Sequence, residues 1–590
     1  MIPLRASGLL REFAEAGVLS SADVHVALRL SRLGNERSPE VLLAVALAVR
    51  GVRTGSVCVE LATVADAVLP EPDEQAAPAS LPWPIGWDAL ADSPLVALGP
   101  EAPWRPLRLV EGLLYLDRYW QQEQLVRREL DDRAARPAPV VDLGPLSVLF
   151  PDPGPDRQRL AAAVAAARWV SVITGGPGTG KTHTVARLLK LLHDQPGSPP
   201  RIALAAPTGK AAARLQESVQ EQAAAIGLPT DVTAATLHRL LGWRPDARSR
   251  FRHDASNHLP YDVVVVDESS MVPLTMMARL LEAVRPTARL ILVGDPDQLT
   301  PVEAGAVLSD LVHRPAPVEA SVAVPSGLAP ADLDLDEEEQ RQLRNGVVRL
   351  RVPHRYGASI GALAEAVRAG DGDRVLALLR VGGALSFTAD DDELRADVVS
   401  VAAALGKAAG CGDAPLALEL LGRHRLLCAH RHGLYGVSHW NERVASWVGA
   451  PAAGRHPGQP LLVTANDYDN RLYNGDTGVV VQTDEGLRAA FPRSGGPELL
   501  PLSRLSSVQT AHAMTVHRSQ GSQYDAVTVL LPTQTSAILT RELLYTAVTR
   551  ATSRVRVVGT EEAVRAAVGS QVVRASGLRR IVGTYSVVAG

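Results

Sequence analysis

Short, continuous apolar runs separated by amphipathic stretches dominate the middle of the chain. Four such runs, rich in β-branched residues, lie at Val170–Thr174, Ile202–Ala206, Val263–Val266 and Leu290–Val293. A strand that is covered on both faces has this uninterrupted apolar pattern. Helical stretches such as Thr182–His193 and Ala211–Ala225 lie between the runs. Strands that alternate with helices predict a parallel α/β sheet.

A second set of apolar runs lies farther along the chain and predicts a second α/β domain. Its members are Ala384–Phe387, Arg425–Ala429, Ala526–Leu531 and Arg554–Val558. Between the halves of this set, Gly458–Pro501 is rich in turns and contains the hairpin signals Asn474-Gly475 and Asp484-Glu485-Gly486. We therefore expect a small all-β barrel inserted into the second domain.

The first 135 residues alternate helical apolar patterns with short loops and contain no catalytic pattern. Val41–Val49 predicts a buried helix and Tyr115–Leu130 an amphipathic helix, so we expect a mainly helical domain. The proline-rich segment Pro137–Pro155 suits a domain boundary. Farther along, Val307–Asp336 leads into an acidic run at Asp332–Glu339, which predicts a mobile, solvated surface insertion.

Composition excludes several classes of protein. With 590 residues the chain has room for about three or four domains, and 46% apolar with 21% charged residues excludes a mainly disordered chain. A net charge of −4 excludes a globally basic nucleic-acid coat, so any DNA contact must use a local groove. Only 3 cysteines are present and a secretion signal is lacking, which predicts a cytoplasmic protein with no membrane contact.

A glycine-rich segment lies between the first predicted strand and the helix that follows it. The residues Gly175-Gly176-Pro177-Gly178-Thr179-Gly180-Lys181-Thr182 fit the pattern G-x-x-x-x-G-K-T. Glycines let backbone N–H groups close around phosphates, and the helix N-terminus adds partial positive charge. We expect Lys181 to reach the β- and γ-phosphates of a nucleotide and Thr182 to hold Mg²⁺.

The strand predicted at Val263–Val266 ends in two carboxylates, Asp267 and Glu268. We expect Asp267 to hold Mg²⁺ through water and Glu268 to polarise the attacking water. Together with the glycine-rich segment, this pair predicts that the chain binds and hydrolyses a nucleoside triphosphate.

Four further motifs occur in a fixed order with these two. They are Ala206-Pro-Thr-Gly-Lys210-Ala-Ala-Ala-Arg214-Leu215, Gly294-Asp-Pro-Asp-Gln298-Leu299, Thr515-Val-His517-Arg-Ser-Gln-Gly521 and Leu544-Tyr-Thr-Ala-Val-Thr-Arg550-Ala551. In this set the chain resembles the superfamily 1 helicases and, most closely, the RecD family of exodeoxyribonuclease V alpha subunits. Residues 151–560 carry the resemblance, and Val57–Leu61 and Leu114–Trp120 extend it weakly upstream.

The resemblance implies two RecA-like P-loop NTPase domains with a small all-β (SH3-like) insertion and a mainly helical N-terminal domain. The divisions that we expect are a partner-docking domain at 1–135, a linker at 136–156, the first RecA-like domain at 157–345, the first part of the second at 346–435, the insertion at 436–508 and the rest of the second at 509–590.

The same resemblance implies roles for single residues around the phosphates. Gln298 would hydrogen-bond the γ-phosphate or the attacking water, and Gln158 would contact the adenine. Arg355 and Arg550 would come from the second domain and neutralise charge on the γ-phosphoryl group. Because two domains share the site, ATP would close the cleft between them and hydrolysis would open it.

DNA contacts are also implied, on two surfaces that would face one strand. Thr208, Gly209 and Lys210 lie where single-stranded DNA crosses the first domain in this family, and His517, Arg518 and Ser519 belong to the matching surface of the second. Backbone N–H groups at such a helix start can bind a phosphate. Three aromatic residues are candidates either to stack on bases or to pack in a core: Trp243, Tyr468 and Tyr473.

Some positions depart from the family pattern. Gln523 stands where relatives often have a glutamate that contacts the ribose, Arg518 replaces a frequent lysine, and His354 and Tyr356 flank Arg355 in an untypical way. None of these changes removes a catalytic group.

One stretch is crowded with possible metal ligands: His424, Cys428, His430 and His432. Metal-ligand spacing of the C-x₂-C kind is missing, however, which disfavours a zinc site.

We interpret the chain as the ATP-dependent motor subunit of a RecBCD-type helicase–nuclease, which would move 5′→3′ on DNA ends beside RecB-like and RecC-like subunits in break repair and recombination. Two alternatives stay open: a stand-alone RecD-like helicase, and an ATP-gated assembly subunit whose motor is dispensable. A PD-(D/E)-x-K nuclease needs a carboxylate two residues before a lysine, and these positions hold Thr179, Leu188, Thr208 and Leu405. The nuclease must therefore lie in another chain.

Overall fold

The computed structural model describes residues 6–67, 81–152, 154–229, 232–244, 251–315, 328–354, 356–389, 392–451, 454–467, 469–493, 495–532, 536 and 538–580. Among them, none of the helices combines the length and the hydrophobicity that a bilayer span requires.

The N-terminal region contains the expected helices together with a small sheet. Its helices are α1 (Leu9–Glu15), α2 (Ser21–Gly34), α3 (Pro39–Arg53), α4 (Val64–Ala67) and α5 (Asp117–Ala135). Its strands are β1 (Cys58–Glu60), β2 (Val96–Leu98), β3 (Leu107–Val110) and β4 (Leu113–Leu116), in the order β1-β4-β3-β2. The sequence patterns did not predict this sheet, because its strands have only three or four residues.

Helix α5 corrects one expected boundary. The helix begins at Asp117 rather than at Tyr115, because Tyr115 lies on β4 and pairs with Cys58 of β1. Its apolar face also does not belong to the N-terminal core: Trp120, Val126 and Leu130 pack with the strands of the next domain. The N-terminal region and the first parallel sheet therefore share one core.

The first parallel sheet has the predicted strands and two more. Its strands are β5 (Val170–Gly175), β6 (Ile202–Ala206), β7 (Ala234–Thr236), β8 (Val263–Val266), β9 (Arg289–Gly294) and β10 (Val347–Leu350), in the order β10-β5-β9-β8-β6-β7. Around them lie α6 (Leu146–Leu149), α7 (Arg157–Ala166), α8 (Lys181–His193), α9 (Gly209–Ile226), α10 (Leu237–Leu240), α11 (Leu274–Ala283), α12 (Val307–Val312) and α13 (Glu337–Arg344). The sheet thus continues past residue 345, because β10 pairs with β5 at one edge.

The second parallel sheet is interrupted by an antiparallel insert. The first part comprises α14 (Ala358–Ala369), α15 (Gly372–Arg380), β11 (Leu385–Thr388), α16 (Asp392–Gly410), α17 (Ala414–Arg423), β12 (His424–Cys428) and α18 (Val437–Trp447). The insert contains β13 (Pro460–Val463), β14 (Thr477–Thr483), β15 (Gly486–Phe491), β16 (Glu498–Pro501) and β17 (Val508–Thr510), in the order β16-β15-β14-β13-β17. The chain then returns through β18 (Ala513–Thr515), β19 (Tyr524–Leu530), α19 (Arg541–Val548), β20 (Ala551–Val558) and α20 (Glu561–Gly569).

The order of the second sheet is β11-β20-β19-β12-β18, and all of its pairs are parallel. The predicted second α/β domain is confirmed. Helix α18 packs on this sheet through Trp440 and Val444, so the antiparallel strands begin only at Pro460. Asp484-Glu485 forms the tight turn between β14 and β15, whereas Asn474-Gly475 lies in a longer loop before β14.

The acidic run is not a solvated loop in its described part, contrary to the sequence-based expectation. Asp332 is fully buried, and its carboxylate receives Arg159 Nε at 2.8 Å and Nη2 at 2.7 Å. Asp336 caps α13, whose first turn holds Glu337 to Glu339, where the helix dipole favours acidic side chains. Asp332 and Glu339, which pairs with Arg157, therefore anchor this segment to α7, whereas the other acidic residues of the run are exposed.

We predict that Asp332→Ala lowers the free energy of unfolding by about 3–5 kcal/mol, because it leaves the buried guanidinium of Arg159 unpaired. Burial alone would raise the pKa of Asp332, but hydrogen bonds from Arg159 and from backbone N–H groups hold that pKa below its ordinary value. The loss is therefore full above the ordinary carboxyl pKa and shrinks as pH falls through the lowered pKa of the folded state.

Urea unfolding of the wild type and the variant, followed at neutral and at acid pH, measures this difference. Asp334→Ala is the matched control, because Asp334 is exposed and bonds through its backbone: its N–H donates to the Ala331 carbonyl, and its carbonyl accepts Arg157. Equal unfolding midpoints for Asp332→Ala and Asp334→Ala would contradict the prediction.

Candidate functional site

The glycine-rich segment forms a loop between β5 and α8. Gly178 and Gly180 have φ of 81° and 83°, backbone angles that side chains rarely tolerate, which explains why glycine stands there. The Lys181 amine donates to the carbonyl oxygens of Gly175 at 2.6 Å and Gly176 at 3.0 Å. Gln158, at the start of α7, donates Nε2 to the Thr179 carbonyl at 3.2 Å. The loop, Lys181 and Gln158 are thus brought together as predicted.

Asp267 and Glu268 follow β8 at the carboxyl edge of the same sheet. Asp267 accepts the backbone N–H of Glu268 at 2.8 Å, and Glu268 has a left-handed φ of 50°, a strained conformation for a glutamate. Burial, followed by the charge of Glu268, raises the pKa of Asp267 to about 6. The half-buried carboxylates of Asp267 and Glu268 provide the hard oxygen donors that suit Mg²⁺.

Gln298 follows β9, and only the nitrogen of its side-chain amide has a hydrogen-bond partner among the described residues. Its Nε2 donates to Asp295 Oδ2 at 3.1 Å, while its Oε1 is buried with no partner among the described residues. Asp295 also accepts the hydroxyl of Tyr545 from the second domain at 3.2 Å. Burial and then Asp297 raise the pKa of Asp295 to about 6. The orphaned Oε1 leaves one acceptor that a water molecule can use.

A cavity of about 460 Å³ joins these groups to the second domain. It is lined from the first domain by the loop, Thr182, Asp267, Glu268 and Gln298, and from the second domain by Gly521, Gln523 and Arg550. Arg550 donates Nε to the Thr546 carbonyl at 3.1 Å, and its Nη2 is buried without a partner in the described part of the chain. Groups from both parallel sheets therefore meet around one space.

Arg355 falls outside the described residues. Its neighbour His354 donates its backbone N–H to the Gly178 carbonyl at 2.8 Å and lines the same cavity. Tyr356 and Tyr545 approach the loop from the other side, since a Cβ placed on Gly176 would lie 3.8 Å and 2.9 Å from their hydroxyl groups.

The DNA-contacting residues predicted on the first domain contact the insert and the second domain in this structure. Thr208 caps α9 by accepting Ala211 N–H at 3.2 Å, and the Tyr473 ring packs on Gly209 so closely that a Cβ there would overlap it. The Lys210 amine donates to the Gly475 carbonyl at 2.9 Å and to Ser522 Oγ at 2.6 Å. Burial lowers the pKa of Lys210.

The predicted residues on the second domain form a short 3₁₀ helix, Val516–Ser519. Ser519 is buried and donates its hydroxyl to the Val516 carbonyl at 2.7 Å, whereas His517 and Arg518 are half-buried. A Cβ on Gly475 would lie 3.9 Å from both Lys210 Cδ and the Arg518 carbonyl oxygen. The loop of the insert thus lies between the two predicted DNA surfaces.

The aromatic residues and the histidine-rich stretch that the sequence singled out can also be placed. Trp243 is 47% exposed and pairs with Phe251, Tyr473 packs on Gly209, and Tyr468 lies outside the described residues. His424 shares a hydrogen bond with Thr528 at 2.9 Å, and Cys428 is buried on β12. In the described part of the chain, no group of three or more His, Cys, Asp or Glu side chains is arranged to hold a metal ion.

Three residues of this region received no role from the sequence. Arg214 donates Nη1 to the Gly521 carbonyl across the cleft, and Asp295 and Tyr545 join the two domains behind Gln298. All three lie within motifs that the sequence already singled out. One signal was available for Arg214, because it follows Lys210 by four residues and so shares its helix face.

Comparison with known proteins agrees with this geometry. Residues 15–115 match the family model of the RecBCD enzyme subunit RecD, N-terminal domain. Residues 158–304 match an AAA domain, and residues 510–558 match the UvrD-like helicase C-terminal domain.

Similar proteins cover almost the whole chain. The RecBCD enzyme subunit RecD of Mycolicibacterium smegmatis is 53% identical over 97% of this chain and 98% of its own length. The subunit of that name from Mycobacterium tuberculosis is 52% identical over 98% and 97%. Among solved structures, the Pif1 helicase of Candida albicans aligns with a TM-score of 0.37 at 17% identity, covering 70% of this chain and 96% of that one. With such identity over nearly its full length, the chain belongs to the RecD family.

Proposed function

We propose that this chain is the ATP-driven motor of a RecBCD-type helicase–nuclease, moving 5′→3′ on one strand of a DNA end in the cytoplasm. The observation that carries the proposal is the single cavity lined by Lys181, Asp267 and Gln298 from one parallel sheet and by Arg550 from the other. A site divided between two domains can convert nucleotide turnover into relative movement, because bound ATP favours closure of the cleft.

We assign the hydrolytic roles from this arrangement. Lys181 contacts the phosphates, and the buried Oε1 of Gln298 accepts a hydrogen bond from the attacking water, which Glu268 polarises. Arg550 neutralises charge on the γ-phosphoryl group, and we propose the same role for Arg355. Thr182 and Asp267 would hold Mg²⁺, which when bound neutralises phosphate charge.

The strand would pass between Thr208–Lys210 and His517–Ser519. Both segments lie against the Tyr473–Asp476 loop in this structure, so DNA must replace contacts that the insert makes now. We propose that the insert, with its five antiparallel strands, is an SH3-like barrel. We also keep the expected division of the chain into domains, with the first sheet extended to Leu350 and the insert at 460–510.

The N-terminal region would dock the chain onto RecB-like and RecC-like partners. Trp104 is 73% exposed and Ile85 fully so, and both lie in the region that matches the RecD N-terminal model. Large apolar side chains at a surface commonly mark a protein interface. No nuclease pattern accompanies the lysines, so the nuclease of the complex belongs to a partner.

Unwinding of a forked duplex tests the whole proposal. We expect the chain with its RecB-like and RecC-like subunits to unwind DNA from a 5′-ended strand. A complex carrying Lys181→Ala should lose the unwinding that starts from this strand. Equal unwinding by the chain alone would favour a stand-alone helicase. Normal unwinding from the 5′-ended strand with Lys181→Ala would favour an assembly subunit whose motor is dispensable.

We predict that alanine substitutions of Lys181 and Arg550 impair different steps of the ATPase reaction. Lys181 contacts bound nucleotide in the ground state, so Lys181→Ala loses both affinity and turnover. Arg550 acts when charge builds on the transferring group, so Arg550→Ala binds ATP and single-stranded DNA but turns over about a thousandfold more slowly. Nucleotide affinity and DNA-stimulated ATPase, measured separately, distinguish the two. Arg423→Ala, an exposed arginine of the second domain paired with Glu419, is the control.

We predict that Lys210→Ala weakens binding of single-stranded DNA equally for all sequences and reduces the salt dependence of binding by about one phosphate contact. The titration compares this variant with Lys407→Ala, which removes an exposed lysine far along the chain. Wild-type affinity and salt slope in Lys210→Ala would remove Lys210 from the DNA path.

We predict that Trp104→Asp abolishes assembly with the partner subunits while ATP binding is kept. Point changes are the sharper test, because deleting residues 1–135 would also remove Trp120 and Val126 from the core of the first domain. Val381→Asp is the control, since Val381 is 81% exposed on the second domain. Co-purification at wild-type yield with Trp104→Asp would argue against this interface.

A further inference from the structure

One face of α9 makes successive contacts with the second domain. Lys210 and Arg214 are one helical turn apart, and they donate to two consecutive residues across the cleft. The Lys210 amine donates to Ser522 Oγ at 2.6 Å, and Arg214 Nη1 donates to the carbonyl oxygen of Gly521. The same helix begins at the segment where we place DNA. Helix α9 therefore connects the DNA path with the segment Gly521-Ser522.

Ser522 is in turn bonded to Arg550. Arg550 Nη1 donates to the Ser522 carbonyl at 3.5 Å, and the Arg550 carbonyl accepts the backbone N–H of Tyr524, two residues farther along, at 3.0 Å. Arg550 Nε also donates to the carbonyl of Thr546, in the preceding helix α19, at 3.1 Å. A shift of Gly521-Ser522 consequently moves the groups on which Arg550 rests.

Gly521 and Ser522 are both buried, and α9 supplies bonds to them from the opposite domain. Gly521 has a φ of 71°, and a Cβ placed there would meet nothing within 4 Å. The backbone N–H of Ser522 donates within its own turn, to the Ser519 carbonyl at 2.8 Å. Arg214 thus supplies a bond from the opposite domain to the backbone of Gly521, beside the bond that Lys210 donates to the Ser522 side chain.

We propose that Arg214 is a positioning residue for ATP hydrolysis: it holds Gly521-Ser522, and through them Arg550, toward the nucleotide loop. The inference rests on the proposed function. It also gives DNA a route to the chemistry, because a strand that displaces Lys210 from Ser522 moves the same helix face that carries Arg214. Arg214 would then matter more for DNA-stimulated turnover than for basal turnover.

The expected effect of Arg214→Ala follows from this arrangement. Misplacing a catalytic group by about 1 Å can cost about a hundredfold in rate, so we expect DNA-stimulated kcat to fall about tenfold to a hundredfold. Nucleotide affinity should stay close to wild type, since Arg214 acts through Arg550 and not on the ground-state nucleotide. Arg214→Lys should recover part of the rate, because an ammonium can donate one bond to the Gly521 carbonyl.

A double-mutant cycle with Arg550 provides the decisive measurement. If Arg214 acts only through Arg550, then Arg214→Ala lowers kcat in the wild-type background but adds no loss in the Arg550→Ala background. If Arg214→Ala lowers kcat by the same factor in both backgrounds, the two residues act independently and the proposal is wrong. Loss of nucleotide affinity in step with kcat would also overturn it, because Arg214 would then contact the nucleotide itself.

Two controls keep the test interpretable. Arg201→Ala removes an arginine of the first domain whose side chain bonds to Asp262 away from the cleft, and it should leave kcat unchanged. If Arg214→Ala does not fold, Arg214→Gln takes its place in the same cycle. A wild-type chain without DNA-stimulated ATPase would refute the proposed function, whereas an active wild type with multiplying losses would refute only the role of Arg214.

Discussion

The half-buried carboxylate of Asp267 lies where the carboxyl ends of parallel strands meet, and the groups of the cleft are arranged around it. Isolated in an apolar interior, such a charge would be lost to protonation. Here burial and the charge of Glu268 raise the pKa of Asp267, while the backbone N–H of Glu268, then Lys181 and Arg214, favour its ionised form. Because β5, β8 and β9 are parallel neighbours, the loop, the carboxylates and Gln298 follow three strand ends and share one edge.

The second domain completes this balance from across the cleft. Arg550 brings a further cation whose Nη2 has no partner among the described residues, and burial followed by the charge of Arg550 lowers the pKa of Arg214. Arg214 of the first domain and Arg550 of the second both line the cavity. Each parallel sheet therefore brings a cation to the space that the two domains share.

The segment that follows α20 ties the N-terminal region to the motor. Ala575 accepts the backbone N–H of Val57 at 2.9 Å, and the buried Glu123 accepts the backbone N–H of Gly577 at 2.9 Å. Arg579 donates to Asp310 of the first domain at 2.6 Å. Since α5 also packs into the first-domain core, the N-terminal region and the first domain form one packed unit.

Features that depend on local pattern could be predicted from the amino acids alone. Uninterrupted apolar runs identified both parallel sheets, and glycine spacing identified the loop around Lys181, because backbone geometry at those positions admits few other residues. The small N-terminal sheet escaped prediction, because its three- and four-residue strands carry too little pattern. The partners of the charges became known only from the folded chain: Asp332 is anchored by Arg159 although its neighbours suggested a solvated loop, and Arg214 contacts Gly521, 307 residues away. Such pairings depend on how distant elements pack, and no local pattern encodes that distance.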